Sequence, residues 1–248
     1  MLHRASELKK VHLETRNGTI GKIKDLYFDD ESWTVRYLVV DTGRWLSGRR
    51  VLLSPSSVIG GALDRDKLPV NLTKAQIDKS PGIQTDQPVS EQHQRDLHAY
   101  YGWPAYWAVA PYPMAGVAPV MVPAPAPAVS REPTAPGDPH LRSVEHVTGY
   151  KIRASDGALG QIDDFLVDPD EWIIRLLVVD TGGWLSGKKV VVAAGAVDRI
   201  SWTDSEVAVQ LTCDAIKASP EYSADLPLDP DYEQRLISYY DQTAGTRH

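Results

Sequence analysis

The sequence predicts a mainly β protein made of two small β-barrels, each with short trailing helices, joined by a Pro/Ala-rich linker. Three observations carry this. Most of the chain repeats at one constant offset, the β runs are short and bounded by turn residues, and proline crowds the segment that does not repeat. GTIG at residues 18–21 returns as GALG at residues 157–160. LVVDTGRWLSGRRV at residues 38–51 returns as LVVDTGGWLSGKKV at residues 177–190. Both pairs lie 139 residues apart, and the offset holds without a gap to Ser80-Pro81 against Ser219-Pro220 and to Tyr100-Tyr101 against Tyr239-Tyr240. Each copy is about a hundred residues, the size of one domain. A period this long therefore implies two domains, not a solenoid. The expected boundaries are a first domain at 1–98, a linker at 99–140 and a second domain at 141–248.

The elements follow in order. Residues 11–13 read as a strand, and Asn17-Gly18 is a tight-hairpin signal whose slot Asp156-Gly157 fills in the second copy. Residues 20–28 read as the next strand, where Gly21 implies a bulge or a close backbone approach. A polar turn at 29–32 leads to residues 33–41, rich in the aromatic and β-branched residues that strands favour. Thr42-Gly43 turns the chain into a strand at 49–53, and another follows at 68–72. Thr73 is placed to cap a short helix at 74–79 that Pro81 ends. The second copy repeats this order with strands at 190–192 and 207–211 and Thr212 as the cap. A late helix in each copy, at 90–101 and 230–240, ends in a Tyr-Tyr pair, and Leu97 and Leu236 set an apolar stripe toward the barrel.

The intervening segment differs in kind. Residues 99–130 carry no formal charge, and ten of the 18 prolines lie between Trp103 and Pro139. Such a segment favours extended, semi-rigid geometry. It opens with YYGWPAYW at residues 100–107, side chains that a bare spacer does not need. Docking on the chain's own barrels is the leading expectation for this cluster, ahead of a partner contact or adsorption to a bilayer.

Composition narrows the function classes. Hydrophobic residues are 42% and charged residues 24% of the 248, ordinary for a globular protein and unlike a disordered chain, a collagen or a membrane bundle. The single cysteine, Cys213, excludes an internal disulfide and a multi-cysteine metal cluster. A net charge of −7 argues against nucleic acid as a partner. The first ten residues lack the apolar run of a signal peptide, which suggests the cytoplasm, with the periphery of the inner membrane as an alternative place. The chain has no uninterrupted apolar run of ~18 residues that would span a bilayer. Residues 1–98 carry a net +2 and residues 141–248 a net −8, so the copies are expected to meet each other, within the chain or in a homodimer, or to meet different partners.

The search for catalysis finds no constellation. The histidines form no HExxH helix and no Cys/His cluster, and they are read as solvent-exposed. Cys213 sits where a helix should start, a place that can activate a thiol, but the first copy has Lys74 there. Asp41 and Asp180 lie in a repeated VVDTG, which raises a remote reading as an aspartic hydrolase with paired carboxylates. The alternative is an aspartate that closes its own turn. The acidic turns at 29–31 and 168–171 lack calcium-loop spacing. The expectation is no enzyme, no metal and no cofactor. Candidate interaction residues are the glycine-bracketed Trp45, Leu46, Trp184 and Leu185, the adjacent cations Arg49, Arg50, Lys188 and Lys189, and the linker aromatics Trp103, Tyr106 and Trp107, because aromatic and Arg anchors concentrate binding energy.

Residues 17–55 and 156–192, with VNLTKAQIDKSP at 70–81 and VQLTCDAIKASP at 209–220, resemble the PRC-barrel family. That bacterial family includes the cytoplasmic domain of the photosynthetic reaction-centre H subunit and the C-terminal domain of the ribosome maturation factor RimM. The resemblance implies PRC-type barrels that bind other proteins, with no catalytic residues to carry over. The chain differs from the H subunit in lacking its N-terminal membrane helix, and from RimM in lacking its N-terminal domain. The function expected from these readings is a non-enzymatic adaptor or scaffold whose protein partner the sequence does not name. The alternative is a membrane-peripheral accessory of a photosynthetic or respiratory electron-transfer complex.

Overall fold

The computed structural model describes residues 1–43, 48–60, 66–81, 89–108, 138, 140–182, 189–220, 222, 232, 234–236 and 238–240. The first copy runs β1 (His3–Arg4), α1 (Ala5–Leu8), β2 (His12–Thr15), β3 (Gly18–Asp29), β4 (Val35–Asp41), β5 (Arg50–Leu53), β6 (Lys67–Pro69), α2 (Lys74–Asp78) and α3 (Glu91–Tyr101). The second runs β7 (Leu141–Ser143), α4 (Val144–Val147), β8 (Lys151–Ala154), β9 (Gly157–Asp168), β10 (Ile173–Asp180), β11 (Lys189–Ala193), β12 (Val197–Ser201), β13 (Glu206–Val209) and α5 (Cys213–Lys217). Helical backbone recurs at 232, 234–236 and 238–240. The 139-residue offset maps α1 onto α4 and α2 onto α5 without slippage.

The local chemistry follows the sequence. Thr73 and Gln76 form a reciprocal capping box on α2, and the Thr212 hydroxyl accepts from the Ala215 amide on α5. Gly21 and Gly160 sit at φ 144° and 154°. A Cβ on either would fall 1.9 or 2.1 Å from the carbonyl oxygen of Asp41 or Asp180. The close backbone approach expected at Gly21 is therefore present in both copies.

The order β5-β4-β3-β2-β6 makes the first sheet, and β11-β10-β9-β8-β13-β12 the second. Each sheet is open along this path among the described residues. The pairings β2·β6 and β8·β13 are parallel and the rest antiparallel. The expectation of two independent barrels needs correction, because the copies exchange strands. β1 of the first copy pairs with β9 of the second, His3 opposite Val167 and Arg4 opposite Leu166. Reciprocally, β7 pairs with β3, Arg142 opposite Phe28 and Ser143 opposite Tyr27. The offset maps one set of pairs onto the other, so the copies are related by an internal pseudo-two-fold axis. Residues 141–143, which the sequence assigned to the second domain, thus build the first copy's sheet. The physical opening is the length of β3 and β9. Each is 12 residues long and uses only its first half to pair with β2 or β8, which leaves the second half a free edge.

Two buried carboxylates fasten the exchange. Asp25 accepts from the Ser143 hydroxyl at 2.5 Å and the Glu145 amide at 2.9 Å, at the start of α4. Asp164, its equivalent, accepts from the Ser6 hydroxyl at 2.5 Å and the Ser6 amide at 3.2 Å, in α1. On the axis, Trp33 and Trp172 adopt φ 59° and 56°, a left-handed conformation that is rare for bulky residues. The kink turns each carbonyl across the axis, where Trp33 O accepts from the Ile174 amide and Trp172 O from the Val35 amide. Phe28 stacks on Trp33 at 5.3 Å and meets Phe165 at 5.9 Å. One buried cluster joins Leu8, Phe28 and Val35 of the first copy to Val144, Phe165 and Ile174 of the second. Partly exposed Lys9 and Lys24 add weak ion pairs to Glu145 across the boundary.

The symmetry is incomplete at the periphery. Asp30 holds Arg142 through an ion pair that is largely buried. The equivalent positions are Pro169 and His3, which cannot form it.

Candidate interaction surface

The repeated DTG turn is closed by its own aspartate. Asp41 accepts from the Gly43 amide at 2.8 Å, and Asp180 from the Gly182 amide at 2.8 Å. The antiparallel bridge of Thr34 with Ile173 joins the starts of β4 and β10, so the two strands run apart from the axis. At ~3.3 Å per residue their aspartates lie on the order of 40 Å from each other. A proton-sharing carboxylate pair needs contact at ~3 Å, so this geometry rules out the paired-aspartate reading. Burial and the neighbouring Asp156 push the pKa of Cys213 up.

Trp45, Leu46, Trp184, Leu185 and Lys188 lie outside the described residues. Their cationic neighbours have local tasks. Arg49 donates to the carbonyls of Asp78 and Ser80, the C-terminal end of α2, where positive charge is favoured. Arg50 stands in β5 opposite Asp41. Lys189 pairs with Asp163 at 2.6 Å, both partly exposed.

The linker aromatics assemble a site that sequence reasoning saw only in part. Helix α3 lies on the outer face of the first sheet, with Leu97 against Tyr37, Val39 and Leu52. The Ser90 hydroxyl accepts from the His93 amide at its start, and Gly102 ends it at φ 70°, where the chain must turn left-handed. Beyond the turn, Trp103 stacks on Tyr101 at 4.2 Å. The Tyr106 ring lies over the Arg36 guanidinium at 4.0 Å, a cation–π contact.

Gln94, 1% exposed, is the hub. Its carbonyl accepts from the Tyr106 hydroxyl, and its amide donates to Asp138 at 2.9 Å. One side chain thus holds both ends of the proline-rich segment. His98, 6% exposed, sits among Tyr37, Trp103, Tyr106 and Trp107, the last only 4.7 Å away. Its Nδ1 lies 2.9 Å from the Pro104 carbonyl, which can only accept, so Nδ1 carries the proton. Nε2 lies 3.0 Å from the Tyr37 hydroxyl, which also reaches the Gln94 carbonyl at 3.1 Å. Burial lowers the His98 pKa and raises that of Tyr106 to about 12. The expectation of exposed histidines fails here. Gln94 and His98, four apart on one helix face, were the available signal, but both residue types usually face water.

What this arrangement offers to solvent is apolar. Trp107 and Tyr100 are each 41% exposed. Tyr100 donates to the Gln76 carbonyl, as Tyr239 donates to Ala215 in the second copy. Among the described residues no helix is long and apolar enough to cross a membrane.

Comparison with known proteins adds a family and one relative. Residues 3–77 match the model of the PRC-barrel domain. A protein of Deinococcus radiodurans, described only as uncharacterized, is 43% identical over 68 residues, 27% of this chain and 24% of the relative. The match thus spans about a quarter of that protein's length.

Proposed function

We propose, from the match of residues 3–77 to the PRC-barrel domain model, that the chain is a non-catalytic protein-binding scaffold in which the exchanged copies form one rigid platform. The observation that carries this reading is the exposure of Trp107 and Tyr100 beside the start of an uncharged, proline-rich stretch of sequence. Tryptophan and tyrosine combine a large apolar body with a polar tip, and they are the residues on which binding energy concentrates. Around them, Trp103 and Tyr106 are committed to the chain's own sheet and hold the surface in place.

The test is co-purification from the native cells with the wild-type chain and with a Tyr100→Ala/Trp107→Ala double variant, followed by titration of the purified partner. A partner held by the wild type should bind at least tenfold more weakly to the double variant. An unchanged partner set and affinity would overturn this surface. The same variants are mixed with anionic liposomes. Sedimentation with lipid that the double substitution abolishes, with no protein partner recovered, would replace the scaffold by the membrane-peripheral reading.

A further inference from the structure

Gln94 stands between two parts of the molecule that serve different ends. On one side is the surface that carries Trp107. Its ring packs on His98 at 4.7 Å and on Tyr106 at 4.8 Å, and its outer part is open to solvent. Tyr106 lies over Arg36 and donates to the Gln94 carbonyl. On the other side is the strand exchange. The Gln94 amide donates to Asp138 Oδ2 at 2.9 Å, and Asp138 Oδ1 accepts from the His140 amide at 2.9 Å. The Asp138 carbonyl accepts from the amide of Leu141, the first residue of β7, at 3.3 Å. From there His140 and Arg142 reach Asp30 at 3.0 and 2.5 Å, and Ser143 reaches Asp25 at 2.5 Å. A continuous line of contacts thus runs from the exposed Trp107 to the seam between the copies, and its two halves meet at Gln94.

We propose that Gln94 couples the two, so that the firmness with which Trp103 to Trp107 sit on the first sheet sets the firmness with which β7 sits on β3, and the reverse. The inference rests on the reading of Trp107 and Tyr100 as a partner surface, and it makes the strand exchange respond to that surface. Gln94 is 1% exposed, so water does not replace a hydrogen bond that it loses. Its carbonyl accepts from two hydroxyls, Tyr37 at 3.1 Å and Tyr106. The Asp138 carboxylate is an acceptor, which places the Gln94 NH2 group on its side. The two hydroxyls fix the plane of the amide, and that plane aims the NH2 group at Asp138. Without the Tyr106 hydroxyl the amide turns more freely and Asp138 is held less firmly. A partner that presses Trp107 onto Tyr106 and His98 does the opposite and tightens β7. Linkage makes the effect mutual: whatever loosens β7 weakens the seat of Tyr106 by the same factor. The pairing of β1 with β9, across the axis, contains none of these residues and serves as the internal reference.

The test is amide hydrogen exchange on the purified full chain, read by mass spectrometry. Tyr106→Phe keeps the ring and removes only the hydroxyl. It should speed exchange across residues 140–143 and 28–30 at least fivefold, with Leu166 and Val167, opposite β1, within twofold of the wild type. Asp30→Ala releases His140 and Arg142, and it should speed exchange across residues 102–107 at least fivefold from the other end. The double variant should fall short of the product of the single effects, because both act through one residue. In a Gln94→Leu background each end should respond only to its own substitution. Effects confined to the substituted end, or equal acceleration at Leu166 and Val167, would overturn the proposal. Should Gln94→Leu fail to fold, the cycle of Tyr106→Phe with Asp30→Ala decides alone. These measurements need no partner, so the coupling and the Tyr100/Trp107 binding surface can each fail without the other.

Discussion

Gly21 and Gly160 are the residues the backbone can least exchange. A methyl group there would overlap a main-chain carbonyl, and φ near 150° is a region that L side chains rarely adopt. Gly21→Ala is expected to cost about 3 kcal/mol or more, read as a lower denaturant midpoint, because the atom it meets is backbone and cannot swing away. Gly43→Ala would have only the strain of φ 55°, with no atom within 4 Å, and should cost visibly less. His98 supplies the pH dependence. Its pKa is lowered in the folded protein by burial, so the stability it contributes is present above the unfolded value of 6.5 and is lost as pH falls through the lower folded value. Melting temperature should fall over that window in the wild type and fall less in His98→Gln. Equal slopes would assign the acid sensitivity to other groups, such as the half-buried His93, whose pKa burial also lowers.

At the scale of elements, the short N-terminal strand belongs to the far half of the molecule. Deleting residues 1–4 removes β1 from β9 and Leu2 from the second copy's core. Amide exchange should therefore accelerate around Leu166 and Val167, some 160 positions away in sequence, while β2 and the first half of β3 keep their protection. Faster exchange confined to the first copy would contradict the swapped pairing. The repeat made most of this architecture readable. Equal spacing forces equal element lengths, and Asn17-Gly18, Thr73 and Pro81 mark turns, caps and ends by local chemistry. The exchange was not readable, since two- and three-residue strands such as β1 and β7 have no periodicity to detect, and pairing a free edge is a long-range choice among competing partners. The aromatic hub was half readable. Residues 100–107 advertised a docking cluster, but the polar Gln94 and His98 that bind it look like surface helix. The helix α3 extends to Tyr101, and Trp103 packs on it.

At the scale of the whole molecule, Phe28, Phe165, Trp33 and Trp172 place the centre of one buried cluster on the boundary between the copies. The halves should therefore unfold together. One calorimetric transition with matching van't Hoff and calorimetric enthalpies is expected. Phe165→Ala, at a cost of about 3–5 kcal/mol for a fully buried ring, should shift that transition without splitting it. Two transitions, only one of them moved, would mean that each half stands alone. A pair of separate chains with the same swapped strands would lose its fold on dilution, because association would be part of folding. Here the covalent connection makes the strand exchange itself independent of protein concentration. It also frees the two sides from one another. In a homodimer every substitution enters twice, once on each side of the axis, so a change that suits one face is imposed on the other. Within a single chain each change enters once. Arg142 can pair with Asp30 where the equivalent positions are His3 and Pro169, and Arg36 can lie beneath Tyr106 while its counterpart Arg175 pairs with Glu171, so a binding seat need occur only once per molecule.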